Sequence, residues 1–464
     1  MVDVLELSLA ELSGKLKTRE LSPVEVTEAC LARIDATEGR LHAYVRVLRE
    51  SALAAARDAE CDIADGRWKG PLHGVPVAVK DLYNLAGTAT TASSKVRTHW
   101  VRDTDSAVGA KLKAAGAVIV GKTQTHEFAY GGVTPTTRNP WDVTRSPGGS
   151  SGGSAATVAA GGAFMATGTD TAGSIRIPAA MCGVVGLKPT YGRVSRFGVT
   201  PLSWGLDHAG VLTRTVADAA VCLQAIAGHD PRDPGSLPEA VPDFSAGLAV
   251  GVAGMRVGVP KNYFREHVDA EVAAAVRAAS DQLESLGAQP VEVDIPMPER
   301  MLPMEFAILM PEASAYHRRM LATTPELYTA EVRTLLEAGQ QIAAVDYIQA
   351  QRVRELLRQA FRKVYEQVDV IVAPTVATPA IRPDAGSITW DDGTVEPAAE
   401  TLIRLTVPAN LTGLPALSLP CGFSIAGLPI GLQIIGRPLE EATVMRLGAA
   451  YEHATPWHDR HPAS

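Results

Sequence analysis

A chain of 464 residues, 46% hydrophobic and 20% charged with 41 Gly and 31 Pro, has the make-up of a soluble α/β enzyme able to bury a sizeable core. Its formal net charge of −8 gives no reason to expect a nucleic-acid partner, which would call for a basic patch or stripe. The 5 cysteines are widely and irregularly spaced, no pair has zinc-ligand spacing, and no HExxH occurs among the 11 histidines, which argues against a disulfide framework and leaves no metal site to expect.

The amino terminus, Met-Val-Asp-Val-Leu-Glu-Leu, has early acids and no basic region before an apolar core, so it does not read as a signal peptide. No run of about eighteen uninterrupted apolar residues exists, so no membrane span is expected and the cytoplasm is the default location. The first sixty residues read as helices. Ser22-Pro23-Val24-Glu25 is a capping box with Pro at the first helical position, and Val26, Ala29, Cys30, Arg33 and Ile34 then set a mostly apolar stripe on one face. Pro71 to Pro76 breaks that register. Val75, Val77 and Val79 alternate as in a strand, with Lys80-Asp81 at its carboxyl end, and a helix at about 104–115 and a strand at Ala117–Val120 follow.

Further on, Arg256–Val259, a helix near 268–286 closed by Gly287, and Val291–Ile295 repeat the β-α-β pattern, while Val368–Val372 and Pro429–Ile435 read as buried strands. This alternation predicts an α/β chain with a mixed or parallel sheet covered by helices on both faces. The stretch 228–250, rich in Asp, Pro and Gly at its start, reads as a surface loop and subdomain border.

Between Ser146 and Ser174 the chain is unusually glycine-rich. Ser146-Pro147-Gly148-Gly149-Ser150-Ser151-Gly152-Gly153-Ser154 can be read as a flexible linker, as an anion cradle before a helix, or as a catalytic loop. It runs straight into an Ala-rich apolar segment, unlike a linker, and lacks the Gly-Lys-Ser/Thr ending of a P-loop. Gly168-Thr169-Asp170-Thr171-Ala172-Gly173-Ser174-Ile175-Arg176 then places a serine after small residues that let consecutive N–H groups aim at one point, as an oxyanion hole requires. Ser174 is outside any G-x-S-x-G elbow. A nucleophilic serine needs a base, and His126, His208 and Lys80 all qualify on spacing.

Several segments in order resemble one family. They are Gly74 to Asp81, Gly121-Lys122-Thr123, Asn139-Pro140-Trp141-Asp142, Ser146 to Ala156, Gly168 to Pro178, Cys182 to Arg193, Asn410 to Ala416 and Leu428 to Gln433. Together they resemble the amidase signature family, densely over 70–215 and more thinly along nearly the whole chain. The resemblance implies a three-layer α/β/α fold and a single catalytic domain over 1–464, with N-terminal helices in 1–65, a catalytic core in 66–215, the loop at about 228–250, and the rest of the sheet and a variable pocket wall in 251–464. It further implies Lys80 as base, Ser150 as bridging serine after a cis Gly149–Ser150 bond, and Ser174 as nucleophile. Main-chain N–H groups of Thr171, Ala172, Gly173 and Ser174 would form the oxyanion hole. Ala172 departs from the family, where Gly is common. Lys80, deprotonated because burial disfavours the ammonium, would take the proton of Ser174 through Ser150 and return it to the departing amine.

Beside these roles stand plainer ones. A lysine after a strand is ordinarily a solvated end residue, and isolated serines are ordinarily turn residues. Asp170 and Arg176 are expected to pair and brace the nucleophile's loop. Ser151 and Ser154 are expected to bond loop or helix-start backbone, and His126, His208 and Cys182 to pack. Ala129 and Tyr130 are expected at the pocket border, following the family's pattern after the Gly121-Lys122-Thr123 strand. The Met-rich run from Met301 to Met310 reads first as a buried helix and second as an adaptable pocket wall. The function expected is hydrolysis of a small-molecule carboxamide, or a related urea, carbamate or ester, with no cofactor, no metal, no nucleic acid, no membrane, and a homodimer as a possible assembly. Two rivals are the glutamine-hydrolysing subunit of a tRNA amidotransferase and a catalytically inactive ligand-binding protein.

Overall fold

A computed structural model describes residues 4–463. Among these residues thirteen strands occur: β1 (Tyr44–Val47), β2 (Pro76–Lys80), β3 (Val118–Thr123), β4 (Met165–Asp170), β5 (Val185–Lys188), β6 (His208–Thr213), β7 (Arg256–Pro260), β8 (Gln289–Val293), β9 (Val370–Pro374), β10 (Ser387–Thr389), β11 (Val395–Pro397), β12 (Ala416–Phe423) and β13 (Pro429–Gly436). Eleven of them form one sheet in the order β1-β3-β2-β4-β6-β5-β12-β13-β9-β7-β8, and β10 and β11 make a separate hairpin. The sheet is mixed. β3, β2 and β4 run parallel, as do β8, β7 and β9, while the strands between them pair antiparallel. Every residue of β2, β3, β4, β6, β9 and β13 is buried, which requires helices over both faces, and the architecture is a three-layer α/β/α stack.

Local chemistry explains the elements. The helix Pro23–Leu41 starts on the expected capping box, with Ser22 and Glu25 making both reciprocal bonds. The helix Ala270–Ser285 starts on Asp269 and ends before Gly287, whose φ of 92° suits a residue without a Cβ. The helix expected at 104–115 begins later, at Ala107, because Ser106 Oγ accepts the Gly109 N–H and sets the start there. The amino-terminal helices are interrupted by β1, a four-residue edge strand on β3 too short for a periodic signal. The alternating valines of β2 do not mark one wet face, since Ala78 between them is also fully buried.

Residues 228–250 contain no helix or strand, as read, but they are not wholly superficial. Asp233 accepts a 3.3 Å ion pair from buried Arg196, and Phe244 is fully buried. The Met-rich run opens the helix Met301–Thr323 and is packed into the main core through Met301, Met304, Ile308 and Leu309.

One buried acid gives the fold a pH signature. Glu452 accepts the N–H of Val216 through both carboxylate oxygens, at 3.0 and 3.1 Å, at the start of the helix Val216–Ile226. Burial outweighs that bond and raises its pKa from 4.5 to about 8. Between those values the unfolded chain releases a proton that the folded chain keeps, so stability falls as pH rises through the window. Thermal melts from pH 5 to pH 8 should show this decline, and Glu452→Gln should lessen it, with buried Glu305 contributing in the same direction; a slope unchanged in the variant would contradict the assignment.

Candidate active site

The parallel trio β2, β3 and β4 delivers its carboxyl ends to one edge, so Lys80, Thr123 and Asp170 end their strands side by side. Lys80 is fully buried. Its Nζ lies 2.8 Å from each of three hydroxyl oxygens, those of Ser150, Ser151 and Thr169. Burial pushes its pKa well below that of an ordinary lysine, opposed in part by the charges of Asp170 and Asp207.

Ser150 is carried by the glycine-rich loop, and its peptide bond to Gly149 is cis. The loop passes so close to its neighbour that a Cβ on Gly149 would sit 2.3 Å from the Val133 carbonyl oxygen, so only glycine fits. The helix Gly152–Ala159 begins immediately after. Ser174 is 7% exposed, and its carbonyl accepts the Ser151 N–H at 3.2 Å, which sets the two serine-bearing loops together. Ser174 Oγ makes no hydrogen bond among the described residues, so Ser150 and Ser174 are neighbours without a closed hydroxyl–hydroxyl bond.

The loop from Thr171 to Ser174 is held open by Asp170. Asp170 Oδ1 accepts the Gly173 N–H at 2.9 Å, and Oδ2 accepts the Ile175 N–H at 3.1 Å. Of the four expected oxyanion donors, Gly173 is therefore engaged internally, while the N–H groups of Thr171, Ala172 and Ser174 have no acceptor among the described residues. Gly173 serves shape instead: its φ is 120°, and a Cβ there would meet Thr406 Oγ1 at 2.2 Å. Ala172 is absent from the residues with positive φ, so its methyl group is accommodated.

Asp170 and Arg176 do pair, at 2.9 Å, both wholly buried. Asn410 Nδ2 donates to Asp170 Oδ1 at 2.8 Å, and Arg176 also donates to Thr406 O at 2.9 Å and to Gln433 Oε1 at 2.5 Å. Burial by itself would raise the Asp170 pKa, but the Arg176 guanidinium outweighs it and holds the carboxyl below the usual carboxylate range.

Ala129 and Tyr130 are both buried near this edge. Ala129 and Thr169 border a cavity of about 200 Å³, and the Tyr130 hydroxyl has no partner among the described residues. His126 Nδ1 bonds Val133 O at 2.9 Å, and Cys182 Sγ bonds Pro147 O at 3.4 Å; neither contacts Lys80 or Ser174. Ser154 braces backbone, donating to Thr167 O at 2.8 Å, whereas Ser151 touches Lys80 itself. Sequence reasoning missed that contact and those of Thr169, Asn410 and Thr406. For Thr169 a signal existed: Thr167 and Thr169 share one face of β4, and they receive the Lys80 N–H and Nζ respectively. Among the described residues no group of three or more His, Cys, Asp or Glu is placed to hold a metal.

Removing Arg176 would leave Asp170 as an uncompensated buried charge. Arg176→Gln is expected to lower unfolding stability by about 3–5 kcal/mol, read from denaturant midpoints. A midpoint within error of wild type would show the network to be dispensable.

The sequence model of the family described as Amidase matches residues 25–445. A Pseudomonas putida protein named amidase is 57% identical over 463 residues, covering 100% of this chain and 99% of that one. A glutamyl-tRNA(Gln) amidotransferase subunit from Chloroflexus aurantiacus is 43% identical over 491 residues, covering 100% and 99%. A solved structure, described as a vestigial complex revealing the evolutionary origins of an s-triazine catabolic enzyme, superposes with a TM-score of 0.92 at 34% identity, covering 96% of this chain and 98% of that one. The chain belongs to the amidase family, the hydrolases of amide C–N bonds.

Proposed function

We propose that the chain hydrolyses a small carboxamide through an acyl intermediate on Ser174, with Ser150 and Lys80 as its proton relay. The observation that carries this reading is a fully buried lysine amine held 2.8 Å from the Ser150 hydroxyl. Rotation about the Ser174 side chain would bring its hydroxyl onto Ser150 Oγ, a contact that tightens when substrate fills the site. As Ser174 Oγ attacks the carbonyl carbon, its proton passes to Ser150 while the Ser150 proton passes to neutral Lys80. The developing oxyanion is met by the free N–H groups of the 171–174 loop. The relay then runs backward, Ser150 protonating the departing nitrogen as the C–N bond breaks. Water repeats the cycle on the acyl-serine and releases the acid.

Ala129 and the cavity beside it support a small-molecule substrate, as does the greater identity to the relative named amidase than to the amidotransferase component. We further take the chain as one catalytic body, because strands drawn from residues 44–436 join a single sheet. No helix among the described residues is long and apolar enough to cross a membrane.

Ser174→Ala should abolish both amide turnover and covalent labelling by a fluorophosphonate, whereas labelling that survives the substitution would place the nucleophile elsewhere. Lys80→Ala should cut kcat/KM by about 10²–10⁴-fold with the fold intact by circular dichroism. Because the neutral amine is the active form, kcat/KM in the wild type should rise with pH along a limb centred below the ordinary lysine value of 10.5. A flat profile would rule out Lys80 as the titrating base.

A further inference from the structure

The helix Gly152–Ala159 opens without the cap its sequence offers. Ser151 stands at the N-cap position, where a serine hydroxyl ordinarily accepts an N–H of the first turn, yet it makes no capping bond. Its hydroxyl is engaged elsewhere, accepting from Lys80 Nζ at 2.8 Å and donating to Thr169 O at 3.3 Å. The first helical N–H groups are satisfied from neighbouring segments instead. Gly152 N–H donates to Thr134 Oγ1 at 3.1 Å, and Gly153 N–H to Gln124 O at 3.2 Å.

Thr134 is 1% exposed and belongs to no helix or strand. Besides accepting from Gly152, its hydroxyl lies 3.1 Å from Gly148 O and 3.2 Å from Ser150 O, so its single proton is shared between two carbonyls. One hydroxyl thus holds the chain before, at and after Ser150. The approach is close: a Cβ on Gly152 would sit 2.4 Å from Thr134 Oγ1. Ser150 O also accepts the His126 N–H at 3.1 Å, and His126 Nδ1 bonds the carbonyl of Val133, the residue before Thr134. Each Thr134 hydroxyl contact is to backbone, so Thr134 acts on Ser150 through the loop that carries it.

We propose that Thr134 is a positioning residue of the proton relay. It supplies the cap that Ser151 would otherwise give, which leaves the Ser151 hydroxyl to Lys80, and it fixes the Ser150 backbone so that the side chain meets the lysine amine. Without it a buried N–H loses its acceptor, and the Ser151 hydroxyl is drawn towards the helix start and away from Lys80. The assignment rests on the Ser174–Ser150–Lys80 reading above.

The test compares Thr134→Val, which keeps the shape and deletes the hydroxyl, with Thr134→Ser, which retains it. Fluorophosphonate titration counts the competent sites in each preparation, so misfolded protein drops out and kcat for an anilide is expressed per labelled site. Thr134→Val should lower that kcat by roughly ten-fold with KM changed less than about two-fold, and Thr134→Ser should keep most of the wild-type value. Labelling rates then show where the loss acts. The ~ten-fold slowing by Thr134→Val should shrink to less than about two-fold in the Ser150→Ala background, where no relay remains to position. A wild-type kcat per site in Thr134→Val overturns the proposal, and so does an equal slowing in both backgrounds, which assigns Thr134 to the fold alone. If Thr134→Val yields no folded protein, Thr134→Cys takes its place: the thiol is a weak donor and acceptor, so a reduced kcat per site supports the proposal and a wild-type value overturns it. Among the controls, labelling that survives in Ser174→Ala, or proceeds at the wild-type rate in Ser150→Ala, overturns the relay itself without reference to Thr134.

Discussion

The site depends on how a lysine amine is solvated once water is removed. Four long cationic side chains lie fully buried: Lys80, Lys122, Lys188 and Arg176. Arg176 has the Asp170 carboxylate at 2.9 Å and Lys122 has that of Asp81 at the same distance, the latter offsetting part of the burial that lowers the Lys122 pKa. Lys188 donates to two backbone carbonyls, Pro189 and Leu414, which can only accept. Lys80 alone is surrounded by hydroxyls. A hydroxyl accepts from an ammonium and can turn to donate to a neutral amine, so this environment tolerates both protonation states. Low dielectric then biases the neutral one. A base that must load and unload a proton each turnover needs such a solvent, and a carboxylate neighbour would defeat it.

Charge is nevertheless supplied one step away. Asp170 does not touch Lys80 Nζ but occupies the end of β4, one residue past Thr169, where Arg176 neutralises it. The same carboxylate folds the loop after it, by accepting from Gly173 and Ile175. Its partners Asn410 and, through Arg176, Thr406 and Gln433 lie more than two hundred residues downstream. The last third of the chain is thereby required for the geometry of a loop in the first half, since Thr406 Oγ1 also holds the Ala172 carbonyl at 2.6 Å. The loop keeps its course because opening it would leave Asp170 or Arg176 buried without partners.

The helix start at Ser22, the helix near 268–286, the strand ending in Lys80 and several of the late strands were legible because capping, alternation and apolar runs are local properties. The short edge strand β1 was not, since its four residues are specified by pairing with β3 rather than by their own pattern. At the site, Ser174 read as a serine after small residues, and the pattern named no base to go with it, because choosing among Lys80, His126 and His208 requires knowing which strand ends lie together. Resemblance supplied that choice. It could not reveal that Gly173 gives its N–H to Asp170, a matter of one loop's torsions, nor that Ser151 and Thr169 complete the shell around Lys80. The stretch after 228 looked like plain surface because Asp, Pro and Gly favour loops, yet Asp233 is drawn inward by Arg196 from a distant segment.

The hydroxyl shell of Lys80 and the wall of the neighbouring cavity are drawn mostly from different stretches of the chain. Lys80 and the hydroxyls around it come from residues 80 to 169, on two strands and the glycine-rich loop. The cavity wall comes largely from residues 196 to 209, which carry none of them. The two are joined by the β4–β6 ladder, which pairs Thr169 with Ala209 and Asp170 with His208, and by side chains, Thr171 Oγ1 donating to Asp207 at 2.6 Å and Arg97 to Thr200 Oγ1 at 2.9 Å. Asp207 in turn accepts the N–H groups of Leu202 and Ser203, which ties the wall to the loop after β4. A change at Asp207 therefore reaches Thr171 directly. One sheet thereby fixes the cavity wall in register with the hydroxyl shell around the lysine amine.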